Sequence, residues 1–107
     1  ANFLVRFFSS YWIRQTTTRV KNMDDAEKAK QLIKDDILPE TKKNSGFMGM
    51  EILTCDMEHS VIVQTKWATL DDLKASTAGT EYYKAAVKKT EPYLHLPQVR
   101  YYEATEM

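Results

Sequence analysis

An α+β fold of four antiparallel strands and two helices, in βαββαβ order, is what this 107-residue sequence predicts. Three observations carry that prediction. Two β-rich runs, Gly46 to Leu53 and Val61 to Trp67, flank a short polar turn at Asp56 to Glu58 and read as a hairpin. Two helical patterns each follow a β-rich run at a recognisable cap. The chain therefore divides into two similar halves of strand, helix and strand, the split βαβ order of a ferredoxin-like fold with both helices on one face of the sheet.

The first strand is predicted from Tyr11 to Val20, where Tyr, Trp, Ile, three successive Thr and Val make a strongly β-favouring mixture. Asp24 is expected to cap the first helix, with Glu27 three residues on in capping-box spacing. Ala26, Ala29, Ile33 and Ile37 recur at helical intervals and form its buried stripe. Pro39 should bend or end this helix, because it has no N–H for the ladder and pushes Leu38 toward extended geometry. Thr41 to Ser45 lead into the second strand at Gly46 or Phe47. After the hairpin, Thr69 caps a short helix with Asp72 three residues on, and Thr77 is expected to cap a longer one. Tyr82, Tyr83, Ala86 and Val87 mark the packed face of that longer helix. Pro92 and Pro97 bracket a loop, and Val99 to Thr105 form the last strand.

Composition bounds the function. A chain of 12.4 kDa has room for one domain, placed at residues 11–105 behind an amino-terminal extension at 1–10. Fifteen basic and fifteen acidic residues cancel, so no broad positive field is present to hold nucleic acid or an anionic membrane. No apolar run approaches the roughly 20 residues that span a bilayer. A single cysteine, Cys55, cannot form an intrachain disulfide and fits a reducing compartment. The expected location is cytoplasmic, or an organelle interior if residues 1–10 are a leader remnant. Within that extension, Phe3-Leu4-Val5-Arg6-Phe7-Phe8 carries five apolar residues in six and is expected to be ordered, as an extra edge strand or a cover.

The strands carry apolar residues at both parities. Met48, Met50 and Ile52 alternate with Phe47 and Leu53, and Val61 and Val63 with Ile62, whereas a one-sided sheet should alternate with polar residues. A homodimer packed sheet to sheet is the simplest cover for the second face.

Gly-Phe-Met-Gly-Met at 46–50, the hairpin, Trp67 before a capped helix, and Tyr82-Tyr83 in the next helix together resemble the antibiotic biosynthesis monooxygenase (ABM) family. The resemblance covers about Tyr11 to Thr105. It implies a dimeric α/β barrel with a pocket in each subunit between sheet and helices. Proteins of this kind include cofactor-independent oxygenases of polycyclic phenols, haem-degrading oxygenases and proteins with no known reaction, so the fold does not settle the chemistry.

By that resemblance Trp67 is the candidate catalytic residue, stacking on a planar ligand or steadying a radical pair with dioxygen. The bland alternative is a large core residue joining sheet to helix. Trp12, on the first strand, reads as interface or core. Candidate substrate-binding residues are Arg14, Thr16, Tyr82 and Tyr83. Arg14 and Gln15 lie mid-strand, where one must point to a covered face and meet either a substrate oxygen or an interface ion pair. Tyr82 and Tyr83 stand about 100° apart on a helix, so at most one points into a pocket.

The haem-degrading branch uses an Asn on the first strand, this Trp, and a His nine residues after it. Here those positions hold Thr16, Thr17 or Thr18 and Ser76, and Ser is a poor axial ligand for haem iron. His59 and His95 have no Cys or His at ligand spacing, so neither metal nor cofactor is expected. With three glycines, Gly46, Gly49 and Gly79, the chain has no nucleophile elbow, P-loop or dinucleotide fingerprint. The expected function is binding of a small apolar or aromatic molecule, as a cofactor-independent monooxygenase of a phenol or quinol. A non-catalytic ligand-binding or stress-response barrel is the alternative, and a divergent haem oxygenase the third reading.

Overall fold

Each strand of the sheet alternates between a face lined by helices and a face left bare among the described residues, and the pairing register decides which residue goes where. The computed structural model describes residues 9–76 and 79–107. In order these form β1 (Ser9–Arg19), α1 (Met23–Leu32), a π-helical turn (Ile33–Ile37), α2 (Leu38–Thr41), β2 (Phe47–Cys55), β3 (Ser60–Trp67), α3 (Leu70–Ser76), α4 (Glu81–Lys89) and β4 (His95–Glu106). The strands form one antiparallel sheet in the order β2-β3-β1-β4, the ferredoxin-like α+β topology expected. The apolar segment Phe3–Phe8 and the proposed cap Thr77 lie outside the described residues.

The expected first strand starts two residues early, at Ser9, because Ser9 and Ser10 pair with Glu106 and Thr105 of β4. Asn22, not Asp24, caps α1: its backbone is extended (φ −157°, ψ 170°) and its Oδ1 accepts from the Asp25 N–H at 2.8 Å. Asn and Asp cap equally well, so only the exact start of the helix decides between them; Asp24 and Asp25 fall in the first turn, where their charge suits the helix dipole. The predicted stripe is correct, with Ala26, Ala29, Ile33 and Ile37 all buried.

Pro39 bends the ladder without ending it. Its ring would press on the carbonyl of residue 35, four back, and it has no N–H to return. The helix answers by widening just before the proline: the Leu38 N–H bonds the Ile33 carbonyl, five residues back, and helical structure runs on to Thr41. Just beyond, Glu40 hydrogen-bonds the exposed ammonium of Lys43 at 2.8 Å, which raises the pKa of that lysine.

The first hairpin strand, β2, corrects the sequence parity. Phe47 pairs with Trp67 and Gly49 with Lys66, so a bulge at Met48 shifts the alternation by one residue. Phe47 therefore joins Met50 and Ile52 on the helix face, where its ring meets Trp67 edge-on at 5.5 Å, while Leu53 stays on the bare face and Met48 is exposed. At the entry to β2, Gly46 has φ +78°, and a Cβ there would collide with the Asp72 side chain. Its carbonyl accepts from Ala68 N–H at 2.9 Å, so β2 is tied closely to the start of α3.

Thr69 caps α3 as expected, accepting from Asp72 N–H at 3.1 Å. Thr80 caps α4, accepting from Tyr83 N–H at 3.0 Å, so the longer helix starts later than a cap at Thr77 would place it. The final strand begins at His95 rather than Val99, since His95 already pairs with Arg19 and Pro97 sits in an edge strand that needs no N–H from it. Buried residues from both sides join the helices to the sheet: Val20, Ala26 and Val61 form one cluster, and Ile33, Ile37 and Ala86 another. Among the described residues no helix is long and apolar enough to cross a membrane.

Candidate functional site

Between the helix face of the sheet and the helices lies a cavity of about 290 Å³. Its floor is built from alternate residues of three strands: Arg14, Thr16 and Thr18 of β1, Val63, Thr65 and Trp67 of β3, and Met50 of β2. The register makes that floor, because Arg14 lies opposite Thr65, Thr16 opposite Val63, and Met50 opposite Thr65 on its other side. Ile33, Ile37 and Thr41 form a wall from the first helical segment, including both ends of the π turn. Ser76, Tyr83, Val87 and Thr90 line it from the later helices and their ends.

Trp67 is 1% exposed, and its indole Nε1 donates to Thr65 Oγ1 at 2.9 Å. The buried N–H is therefore satisfied, and the ring presents carbon to the cavity. Trp67 is thus a buried residue packed on Phe47 that also lines the cavity.

Arg14 brings the charge. Its Nε is fully buried and has no hydrogen-bond partner, while the ion pairs among the described residues include Glu27 with Lys30, Glu40 with Lys43, Glu81 with Lys84, and Asp36 with Lys89. A guanidinium stays protonated at any physiological pH, so the cavity holds a fixed cation.

Of the two adjacent tyrosines, Tyr83 lines the cavity and Tyr82 does not; Tyr82 is 56% exposed. The helix turns between them as expected, and Gly79 settles which one goes in. With φ +61° it passes so close to the Tyr83 ring that a Cβ would sit 2.8 Å from it.

Sequence reasoning missed the hydroxyl groups. Thr18, Thr41, Ser76 and Thr90 all line the cavity, and each spends its proton on a main-chain carbonyl, of Val61, Ile37, Leu73 and Val87, at 2.6–2.9 Å. Thr18 and Thr16 were visible as alternate members of the threonine run, but Thr41, Ser76 and Thr90 follow helical positions whose facing only packing shows. Ser76, at the haem-ligand position of the resemblance, is buried and bonded to Leu73. Trp12 is half-buried on the same sheet face without lining the cavity, His59 is an exposed turn residue with φ +49°, and no group of three or more metal-ligating side chains occurs among the described residues.

No protein-family model matches the chain, and no curated protein sequence matches it. Solved structures do. A "putative antibiotic biosynthesis monooxygenase" from Caulobacter crescentus superimposes with a TM-score of 0.72 at 21% identity, over 97% of this chain and 98% of that one. A monooxygenase of Streptomyces coelicolor, in complex with the ligand nanaomycin D, gives 0.75 at 10% identity over 87% and 86%. A nipsnap family protein of unknown function from Agrobacterium tumefaciens gives 0.69 at 12% identity over 91% and 90%. The chain thus has the ferredoxin-like fold of antibiotic biosynthesis monooxygenases, as the residues at 46–50, 67 and 82–83 suggested.

Proposed function

We propose that the protein binds a small aromatic molecule in this cavity and oxygenates it without a cofactor, as a monooxygenase of a phenol or quinol. The observation that supports this most is the pairing of a mostly apolar cavity with one buried, unpartnered cationic nitrogen, Arg14 Nε. A cation in a dry site favours the deprotonated form of a phenol, which is the electron-rich form that reacts with dioxygen. For a phenol with a free para position the reaction balances as phenol plus O2 giving quinone plus water. The phenolate donates an electron to O2, a C–O bond forms at the para carbon, and the O–O bond breaks as water leaves. All four electrons come from the substrate. Trp67 would wall the reacting ring, Tyr83 and Thr16 would contact it, and the helices would exclude bulk water.

A second copy of the chain is the proposed cover of the bare sheet face, where Ile13, Leu53, Ile62 and Tyr102 lie among Gln15, Gln64 and Lys66. Leu53 is 44% and Tyr102 42% exposed, an apolar load that sheet-to-sheet packing would bury.

The test is oxygen uptake with 1-naphthol and no added metal or cofactor. Expected are one O2 consumed per 1,4-naphthoquinone formed, ¹⁸O from labelled dioxygen in the new carbonyl, and loss of the rate in Arg14→Gln. Tight binding of 1-naphthol with no oxygen uptake would instead favour the binding-only barrel, and no binding at all would sink both.

A further inference from the structure

The cavity has two chemically different ends. At one end, beside Trp67 and Thr65, sits the cation Arg14. Four residues of strand, about 13 Å of extended chain, separate it from Thr18 on the same face. Thr90 lies at the Thr18 end, because its carbonyl accepts from Leu94 N–H at 2.9 Å in the turn that delivers His95 to its pairing with Arg19.

The hydroxyls at that second end accept and do not donate. A threonine oxygen has one proton and two lone pairs. Thr18 gives its proton to the Val61 carbonyl at 2.9 Å, and Thr90 gives its proton to the Val87 carbonyl at 2.6 Å. A carbonyl can only accept, so the direction of both bonds is fixed. Glu91, exposed and also lining the cavity, adds a further acceptor at this end. A ligand carbonyl or ether placed here would meet oxygen lone pairs, whereas a ligand O–H or N–H would be bonded.

At the first end the preference is reversed. A guanidinium only donates, it is always charged, and Arg14 Nε is buried with no protein acceptor. Arg14 as a whole is half-buried, but a buried donor left unpaired is costly, and a charge-assisted bond to an anionic oxygen is the strongest available compensation.

We infer that the ligand is an aromatic anion, a phenolate or a carboxylate, with its anionic oxygen on Arg14 and a separate hydroxyl or amino donor directed to Thr18 and Thr90. This rests on the reading that the cavity holds a small aromatic molecule, and narrows it from aromatic compounds in general to anions that carry a donor at the far end. Neutral polycyclic hydrocarbons are discriminated against at both ends, and simple quinones, whose carbonyls can accept from Arg14 but cannot donate, at the threonine end.

Calorimetric titration at pH 7.5 with 6-hydroxy-2-naphthoate, its methyl ester and 6-methoxy-2-naphthoate tests both ends on the unaltered protein. The acid is expected to bind at least tenfold tighter than the ester, and at least threefold tighter than the methoxy acid, which cannot donate. In Arg14→Gln the acid should lose its advantage over the ester, and Arg14→Lys should recover part of the difference. Equal binding of acid and ester to the unaltered protein would overturn the anion assignment while leaving the aromatic cavity intact. Equal binding of hydroxy and methoxy acids would overturn the donor assignment. Failure of all three to bind would overturn the cavity reading together with this one.

Discussion

The two faces of the sheet are built from the same strands and similar residues, yet they do different things. On the helix face, Val61 packs with Val20 and Ala26, and Val63 against Ile33, Ile37 and Ala86, and many of the polar groups nearby are spoken for: Trp67 by Thr65, Thr18 by Val61, Ser76 by Leu73. On the bare face, Ile13, Leu53, Ile62 and Tyr102 have no covering element among the described residues, and Gln15 donates to Gln64 at 3.3 Å. Where neighbouring donors are committed, the unpaired Nε of Arg14 becomes informative about a ligand. An uncovered face with the same apolar content is informative about a partner instead.

The contrast is broken hardest at Trp67. Trp67→Ala removes a fully buried ring that also packs on Phe47, and should cost about 3–5 kcal/mol in urea unfolding. A loss under 1 kcal/mol would mean that the covered face is not the core. Next comes Leu53→Asp on the bare face. It should raise the dimer dissociation constant about a hundredfold, close to 3 kcal/mol, in sedimentation velocity, and leave ligand affinity in the cavity unchanged. A protein that is monomeric before the substitution would remove the second copy from the account of that face.

Gly46→Ala tests how closely the frame of the covered face is fitted. A side chain at φ +78° facing Asp72 should cost about 1–3 kcal/mol of stability by thermal melting, with relief in the double variant that also carries Asp72→Gly. If Asp72→Gly gives no relief, the cost is backbone strain alone. Smallest is Asn22→Ala, which should cost about 1 kcal/mol by losing the cap of α1 and change neither dimerisation nor binding. The corresponding Asp24→Ala should cost much less, and a reversal of that order would return the cap to Asp24.

What was legible in the sequence was local. Strand composition, the Thr69 cap, the Ala26-Ala29-Ile33-Ile37 stripe and the hairpin turn depend on residues within a few positions of one another, and the βαββαβ order followed from them. Part of the site was legible for the same reason, since Arg14, Thr16 and Thr18 share one parity on one strand and the Trp67 position closes the next. The tertiary structure decided whatever depends on a neighbour distant in the chain. The bulge at Met48 that carries Phe47 to the Trp67 side arises from pairing with β3, and local alternation cannot show it. Tyr83 rather than Tyr82 faces the cavity because α4 begins after Gly79 and rolls against the π turn of the first helix. The spent protons of Thr18, Thr41, Ser76 and Thr90, and the unspent Nε of Arg14, are decided by which carbonyls packing brings within reach, because a hydrogen bond's direction and availability belong to a pair of groups and not to either residue alone.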